Sequence, residues 1–312
     1  MEYRIDIQWQ DRTIKEYLYS VVGVSRSVLT RLKKREDGIL LNGQHVTVRA
    51  QLNAGDILSL AMDDVGDSRA ELILPRKLPF TVVYEDDYIL VAGKGAFMPT
   101  HPTHGHYEDT LANALMYYMQ EKGVSDFVFR AVNRLDRDTS GLVVIAKDQL
   151  SCAKLSKSLQ EGKIEKTYLA LLDGRVEGDG GLIDKPICRV SDSIITRRCC
   201  NEGEGASALT RYFVLQRCEN YTIVAARPIT GRTHQLRVHF ASIGHPILGD
   251  TLYGKASDVL NRQALHAVSL RFPHPREEKK ISVVCKPPED MLAFIKEYEN
   301  IENFILQNSI LD

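Results

Sequence analysis

The chain has 312 residues, 44% hydrophobic and 26% charged, with a formal net charge of -1. That length allows a substantial buried core and suggests two domains at roughly 100–200 residues each, while the ordinary composition excludes a disordered or collagen-like chain. Six cysteines (Cys152, Cys188, Cys199, Cys200, Cys218, Cys285) without a C-x-x-C pair exclude a disulfide scaffold and point to reduced thiols.

The opening MEYRIDIQWQDRTIKEYL has no apolar run of signal-peptide type, and no stretch approaches the roughly 18 apolar residues of a membrane span, so a cytoplasmic protein with no membrane partner is expected. Thr13 can cap a helix with Ile14, Tyr17, Leu18 and Val21 on one face, ended by Gly23. Ser25 can cap a second helix, SRSVLTRLKKRE, with Val28, Leu29 and Leu32 inward. Asn42-Gly43 marks a tight hairpin, Val46 and Val48 alternate after it, and Ala54-Gly55-Asp56 turns the chain into Ile57–Leu60.

Arg26, Arg31, Lys33, Lys34 and Arg35 fall on this second helix with no acid among them. Such a cluster can neutralise several phosphates; alone it reads as well as a solvated helix face. The segment from Arg12 to Leu60, with its I-L-L-N-G … G-D ending, resembles the S-four type of small RNA-binding domain, in which the helix pair faces structured RNA. A polar, acidic stretch from Asp63 to Glu71 reads as a linker. The expected division is therefore an RNA-binding domain at 1–62, a linker at 63–75 and a larger domain at 76–312.

In that larger domain Thr81–Tyr84 and Tyr88–Ala92 read as a hairpin. Asp109 or Thr110 starts a helix through Leu111, Leu115, Tyr118 and Met119, and Gln149–Gln160 is a second helix, ending at Gly162. Strands are predicted at Lys166–Leu172, Ala208–Gln216 and Tyr221–Arg227, with helices at Thr233–Ser242 and Met291–Tyr298. Irregular interleaving of strands and helices predicts an α+β fold with a mixed, largely antiparallel sheet, beside a small N-terminal α/β domain.

The segment Asn133-Arg134-Leu135-Asp136-Arg137-Asp138-Thr139-Ser140-Gly141 is a polar loop that runs into the apolar Leu142–Ala146, suited to a central strand. Arg134 and Arg137 flank Asp136, and a nearby arginine favours the ionised carboxylate. Thr139, Ser140 and Gly141 supply hydroxyls and turn backbone to fix the loop. Standing alone, the pattern fits an ion-paired aspartate in a turn.

This loop is similar to the H-R-L-D-x-x-T-S-G signature of the RluA and RluD type of pseudouridine synthases, with Asn133 in place of the leading histidine. The resemblance extends over Phe80–Pro287 and implies that Asp136 is the catalytic nucleophile. Lys166-Thr167-Tyr168-Leu169-Ala170 resembles the family's K-x-Y-x-A motif, which implies that Tyr168 packs on the target base. Thr230–His239 resembles G-R-x-H-Q-L-R, which makes Arg237 the cation that pairs with the aspartate. Arg134, Arg137, Arg232, His234 and Gln235 are taken as RNA-binding; no Asp or Glu occurs from Asn220 to Gly249, while Arg227, Arg232 and Arg237 form a basic stripe. Gly95 replaces the proline of the family's Lys-Pro-x-Gly loop, which predicts a looser loop there.

His101, His104 and His106 have no acidic or cysteine partner at a recognisable spacing, so no metal is expected. The chain has no G-x-G-x-x-G or P-loop signature, in keeping with an isomerase that needs no cofactor. The expected activity is therefore isomerisation of uridine to pseudouridine in structured RNA by a monomer, on large-subunit ribosomal RNA or, alternatively, transfer RNA. A non-catalytic RNA-binding module would explain the basic features without Asp136, but not the joint presence of Asp136, Tyr168 and Arg237. A glycoside hydrolase would need a second carboxylate as proton donor.

Overall fold

The computed structural model describes residues 1–24, 26–62, 73–191, 193 and 195–307. The predicted cap Ser25, the side chain of Arg26 and all but the last three residues of the predicted linker at 63–75 lie outside the described residues.

The chain opens with β1 (Glu2–Arg4) and then α1 (Ile14–Tyr17). Thr13 caps α1, as expected, and does so in a reciprocal box with Glu16. The helix continues as a wider π turn, Leu18–Val22, which Gly23 ends at φ 76°. That turn closes with the Gly23 N–H on the carbonyl of Leu18, one residue further back than an α-helical bond. The register slips accordingly: Val22 is 1% exposed, whereas Val21, predicted to face inward, is 43% exposed.

Helix α2 (Arg26–Leu32) buries Leu29 and Leu32 but is shorter than predicted. Gly38 packs so closely beneath Leu32 that a Cβ there would lie 1.9 Å from its carbonyl oxygen, so the chain must turn back. Lys33, Lys34 and Arg35 therefore lie on a turn rather than on the helix. Strands β2 (Ile39–Leu41) and β3 (Gln44–His45) flank Asn42 (φ 51°) and Gly43 (φ 80°), the two left-handed positions of a tight hairpin. With β4 (Ile57–Leu60) they form a sheet of order β1-β4-β2-β3. Val48 lies beyond β3 but is still buried in this core.

The larger sheet begins with β5 (Thr81–Glu85) and β6 (Ile89–Lys94), followed by α3 (Leu111–Glu121), capped by Thr110. Next come β7 (Ser140–Ala146), α4 (Gln149–Gln160), β8 (Glu165–Asp173), β9 (Gly180–Asp184) and the short hairpin of β10 (Ile187–Arg189) and β11 (Arg197–Cys199). The remaining elements are β12 (Leu209–Arg217), β13 (Tyr221–Pro228), α5 (Gln235–Ser242), β14 (Leu265–Pro273), β15 (Lys280–Val284), α6 (Glu289–Leu292) and α7 (Tyr298–Gln307). The strand order is β5-β6-β7-β14-β8-β13-β12-β9, with β15 also on β14. Among the described residues only the β7–β14 pairing is parallel, so the sheet is mixed and largely antiparallel, as expected.

Strand β7 is buried along its whole length and on both faces. Val143 and Ile145 join the core that holds Leu111 and Leu115 of α3, while Leu142 and Val144 join the core that holds Leu155 of α4. A continuous apolar run is what a strand covered on both sides requires. The single helix predicted at Met291–Tyr298 is instead two helices, interrupted where Glu297 takes φ 59°. The break lets Ile295, Ile301 and Ile305 all settle on Leu169, Ile223 and Val268 of the sheet.

Candidate active site

The loop before β7 is tied down at nearly every residue. Asn133 donates its side-chain amide to the Leu142 carbonyl (3.1 Å) and accepts from the Val144 N–H (2.8 Å). The Thr100 hydroxyl both accepts from the Leu135 N–H and donates to the Leu135 carbonyl. The Thr139 N–H closes a turn on the carbonyl of Asp136 (3.1 Å), and Gln263 donates to the Thr139 hydroxyl. Gly141 sits at φ 116°, where a Cβ would come within 2.3 Å of the Ala267 carbonyl oxygen, so only glycine fits.

The loop at Gly95 is not loose. Lys94 is 2% exposed, and its ammonium donates to the carbonyls of Gly95, Met98 and Arg137 at 2.7–3.0 Å. Burial pushes this amine down to about 7, although Asp138 and Asp136 oppose the shift. The lysine, not the missing proline, ties the 95–98 loop to the loop that carries Asp136.

The opposite wall is the turn into α5. Gln235 accepts from the Thr230 hydroxyl and the Arg232 N–H, and donates to the Leu209 carbonyl and the Thr210 hydroxyl. Its buried amide lines the cleft with all four of its hydrogen-bonding positions committed to the protein. His234 adopts φ 57°, which delays the helix start from the predicted Thr233 to Gln235 and holds the imidazole toward the cleft. Its Nδ1 lies 2.8 Å from the Tyr253 hydroxyl and its Nε2 3.8 Å from Asp136 Oδ2.

Arg237 joins the two walls. Its Nη1 donates to Asp136 Oδ2 at 3.3 Å, while Nε and Nη2 donate to the buried Asp250 at 2.7 and 2.8 Å. Asp250 also accepts from the N–H groups of Leu252 and Tyr253. The guanidinium is therefore held on one edge and presents the other to Asp136. The Asp136 side chain is 23% exposed, open to a substrate. Tyr168 lines the same cleft from β8; burial, with a smaller contribution from Asp136, pushes its phenol far above the ordinary value. The cleft measures about 790 Å³, within the roughly 300–1,000 Å³ typical of ligand sites.

Asp136, Tyr168, Arg237, Arg134, Arg232 and His234 all line this one space. Arg137 does not pair with Asp136: its guanidinium bonds Asp138 at 2.8 and 3.1 Å, so the cation beside Asp136 is Arg237, 101 residues away. The basic stripe is partly compensated, since Arg227 lies 3.7 Å from Glu165 and Arg237 is held by Asp250. In the N-terminal sheet region Lys33 and Lys34 are exposed, whereas Arg35 is paired with Asp37 (2.8 Å). His106 bonds Asp109 and His101 packs edge-on against Phe129; among the described residues no three His, Cys, Asp or Glu side chains form a metal-binding group.

Sequence reasoning missed Asp250, Tyr253 and Lys94. A signal for Asp250 was present: it is the first acid after the acid-free run from Asn220 to Gly249, and an arginine buried at the end of such a run needs a counter-charge.

The family model for RNA pseudouridylate synthase matches residues 88–242. The chain is 36% identical over 284 residues to an uncharacterized RNA pseudouridine synthase, YjbO, of Bacillus subtilis (strain 168), covering 91% of this chain and 98% of the relative. It is 40% identical over 275 residues to a ribosomal large subunit pseudouridine synthase D of Pasteurella multocida (strain Pm70), covering 82% of each. Among solved structures, human RNA pseudouridylate synthase domain containing 1 superposes with a TM-score of 0.60 at 26% identity, over 75% of this chain and 97% of that one.

Proposed function

The chain belongs to the RNA pseudouridylate synthase family, and on that premise we propose that it isomerises uridines of large-subunit ribosomal RNA with Asp136 as nucleophile. The carrying observation is the Arg237–Asp136 contact at 3.3 Å inside a cleft that also presents Tyr168. Arg237 holds one carboxylate oxygen; among the described residues the other accepts no hydrogen bond and is left to the substrate. An ionised, oriented carboxylate can attack the ribose or assist loss of the base. The freed uracil then turns within the cleft and rejoins the ribose through C5. Tyr168, buried on a central strand, gives it a flat apolar surface.

The target base must first leave its stack, which costs about a few kcal/mol. Backbone contacts from Arg134, Arg232, Lys33 and Lys34 offset that cost. Relatives named for the large ribosomal subunit, at 34–40% identity, support ribosomal RNA as the substrate. The N-terminal helix pair and four-stranded sheet support an RNA-binding handle of the S-four type. Pseudouridine mapping of total RNA from cells with and without the gene tests this reading. The expected result is loss of pseudouridine at a few large-subunit positions. Loss confined to transfer RNA would move the substrate, and no loss anywhere would contradict the activity.

A further inference from the structure

Forming pseudouridine transfers one proton from C5 to N1 of the uracil. Once C5 has bonded to C1′, C5 carries both the ribose and its original hydrogen. A base must then remove that hydrogen. The C–H electron pair restores the C5=C6 double bond, and the N1=C6 pair moves to N1, which takes up a proton. Because C5 is bonded to C1′ at this stage, and C1′ lies within reach of Asp136, the base must stand close to the Asp136 carboxylate.

We infer that His234 is this base, acting through Nε2. The inference rests on the assignment of Asp136 above. His234 Nε2 stands 3.8 Å from Asp136 Oδ2, and the imidazole lines the cleft. Nδ1 lies 2.8 Å from the Tyr253 hydroxyl, which accepts from the Arg197 N–H; in this role His234 takes the tautomer in which Nδ1–H donates to that hydroxyl and the lone pair is on Nε2. The ring is further fixed by its edge-on packing against Tyr253, with ring centres 5.7 Å apart. Its backbone is held at φ 57°, a left-handed conformation uncommon outside glycine and often found at functional sites.

The neighbours are poorer candidates. Arg134, Arg232 and Arg237 stay protonated. Lys94 is not among the residues that line the cleft; its amine is turned to the carbonyls of Gly95, Met98 and Arg137. The Tyr168 phenol is held protonated by burial. Burial lowers the His234 imidazole below its ordinary value and outweighs the opposing pull of Asp136; Arg237 and Arg197 act with the burial, and Asp250 against it. Having taken the C5 proton, His234 returns it to N1 or to water, so the enzyme ends unchanged.

The test is single-turnover reaction of RNA carrying 5-deuterated uridine at the target, with wild type, His234→Asn and Lys166→Met. Asparagine tolerates the left-handed backbone, and RNA affinity of each variant is measured alongside. His234→Asn is expected to slow turnover by about 100-fold or more, the usual scale of general-base catalysis. It is also expected to show a primary deuterium isotope effect larger than wild type, because proton removal becomes the slow step. A loss of only a few fold, a loss without the isotope effect, or the isotope effect appearing in Lys166→Met instead would overturn the inference. Asp136→Asn run in parallel separates the two assignments: its activity would remove Asp136, while the isotope readout on His234 stands by itself.

Discussion

Asp250 lies fully buried beneath Arg237, and this changes what a substitution at Arg237 measures. Removing one partner of a buried pair leaves an uncompensated charge, at a cost of about 3–5 kcal/mol. Arg237→Met is therefore expected to lower thermal stability as well as turnover. Replacing both partners, as Arg237→Met with Asp250→Leu, is expected to recover most of the stability and none of the turnover; a fast double variant would refute Arg237's role beside Asp136. The motifs brought Asp136, Tyr168 and Arg237 together on paper because each sits in a recognisable local run. They did not show how Arg137 and Gln235 are engaged, because a basic or amide group's partners are set by the fold around it. Arg137 turns to Asp138, and Gln235 is consumed by backbone and hydroxyl partners.

The start of β7 is the element that places Asp136, and Gly141 is its constraint. Gly141→Ala would require both a left-handed backbone and displacement of Ala267, so a loss of more than about 3 kcal/mol is expected in denaturant unfolding, beyond the roughly 1–3 kcal/mol of strain alone. At the end of β5, burial would raise the Glu85 carboxyl, but hydrogen bonds from Lys122, Lys147 and Tyr118 outweigh it and bring it from 4.5 to about 2. Because the folded value is depressed, the stabilisation is present above pH 4.5 and is lost as pH falls toward 2. Urea midpoints followed over that window should drop more steeply for wild type than for Glu85→Gln; parallel slopes would contradict the assignment. Helices were legible where their caps are local, as at Thr13 and Thr110. The π turn at Leu18–Val22 and the break at Glu297 were not, since tertiary burial of Val22 and of the Ile295–Ile305 face decides them. Strands β14 and β15 were also missed: β14 pairs with β7 and β8, far away in sequence, and no local pattern records that.

Across the whole molecule, α4 connects the N-terminal sheet region to the cleft. Leu150 enters the N-terminal core, the Lys154 stem packs under Gly23, and Leu159, Gln160 and the following Gly162 line the cleft. The irregular order of strands and helices made a mixed sheet legible, but not this docking, because one leucine of α4 has no sequence mark that assigns it to the N-terminal core. Removing residues 1–72 is expected to weaken RNA binding far more than the rate within the bound complex, and to flatten the salt dependence of affinity. Lys33→Ala with Lys34→Ala should lower that salt slope by about one to two on a log–log plot; an unchanged slope would take these lysines off the RNA. No helix among the described residues is long and apolar enough to cross a membrane. The central claim is tested most directly by pseudouridine formation with Asp136→Asn on the same RNA as wild type. The expected result is no detectable pseudouridine with RNA affinity within a few fold of wild type, and robust turnover by this variant would contradict the account.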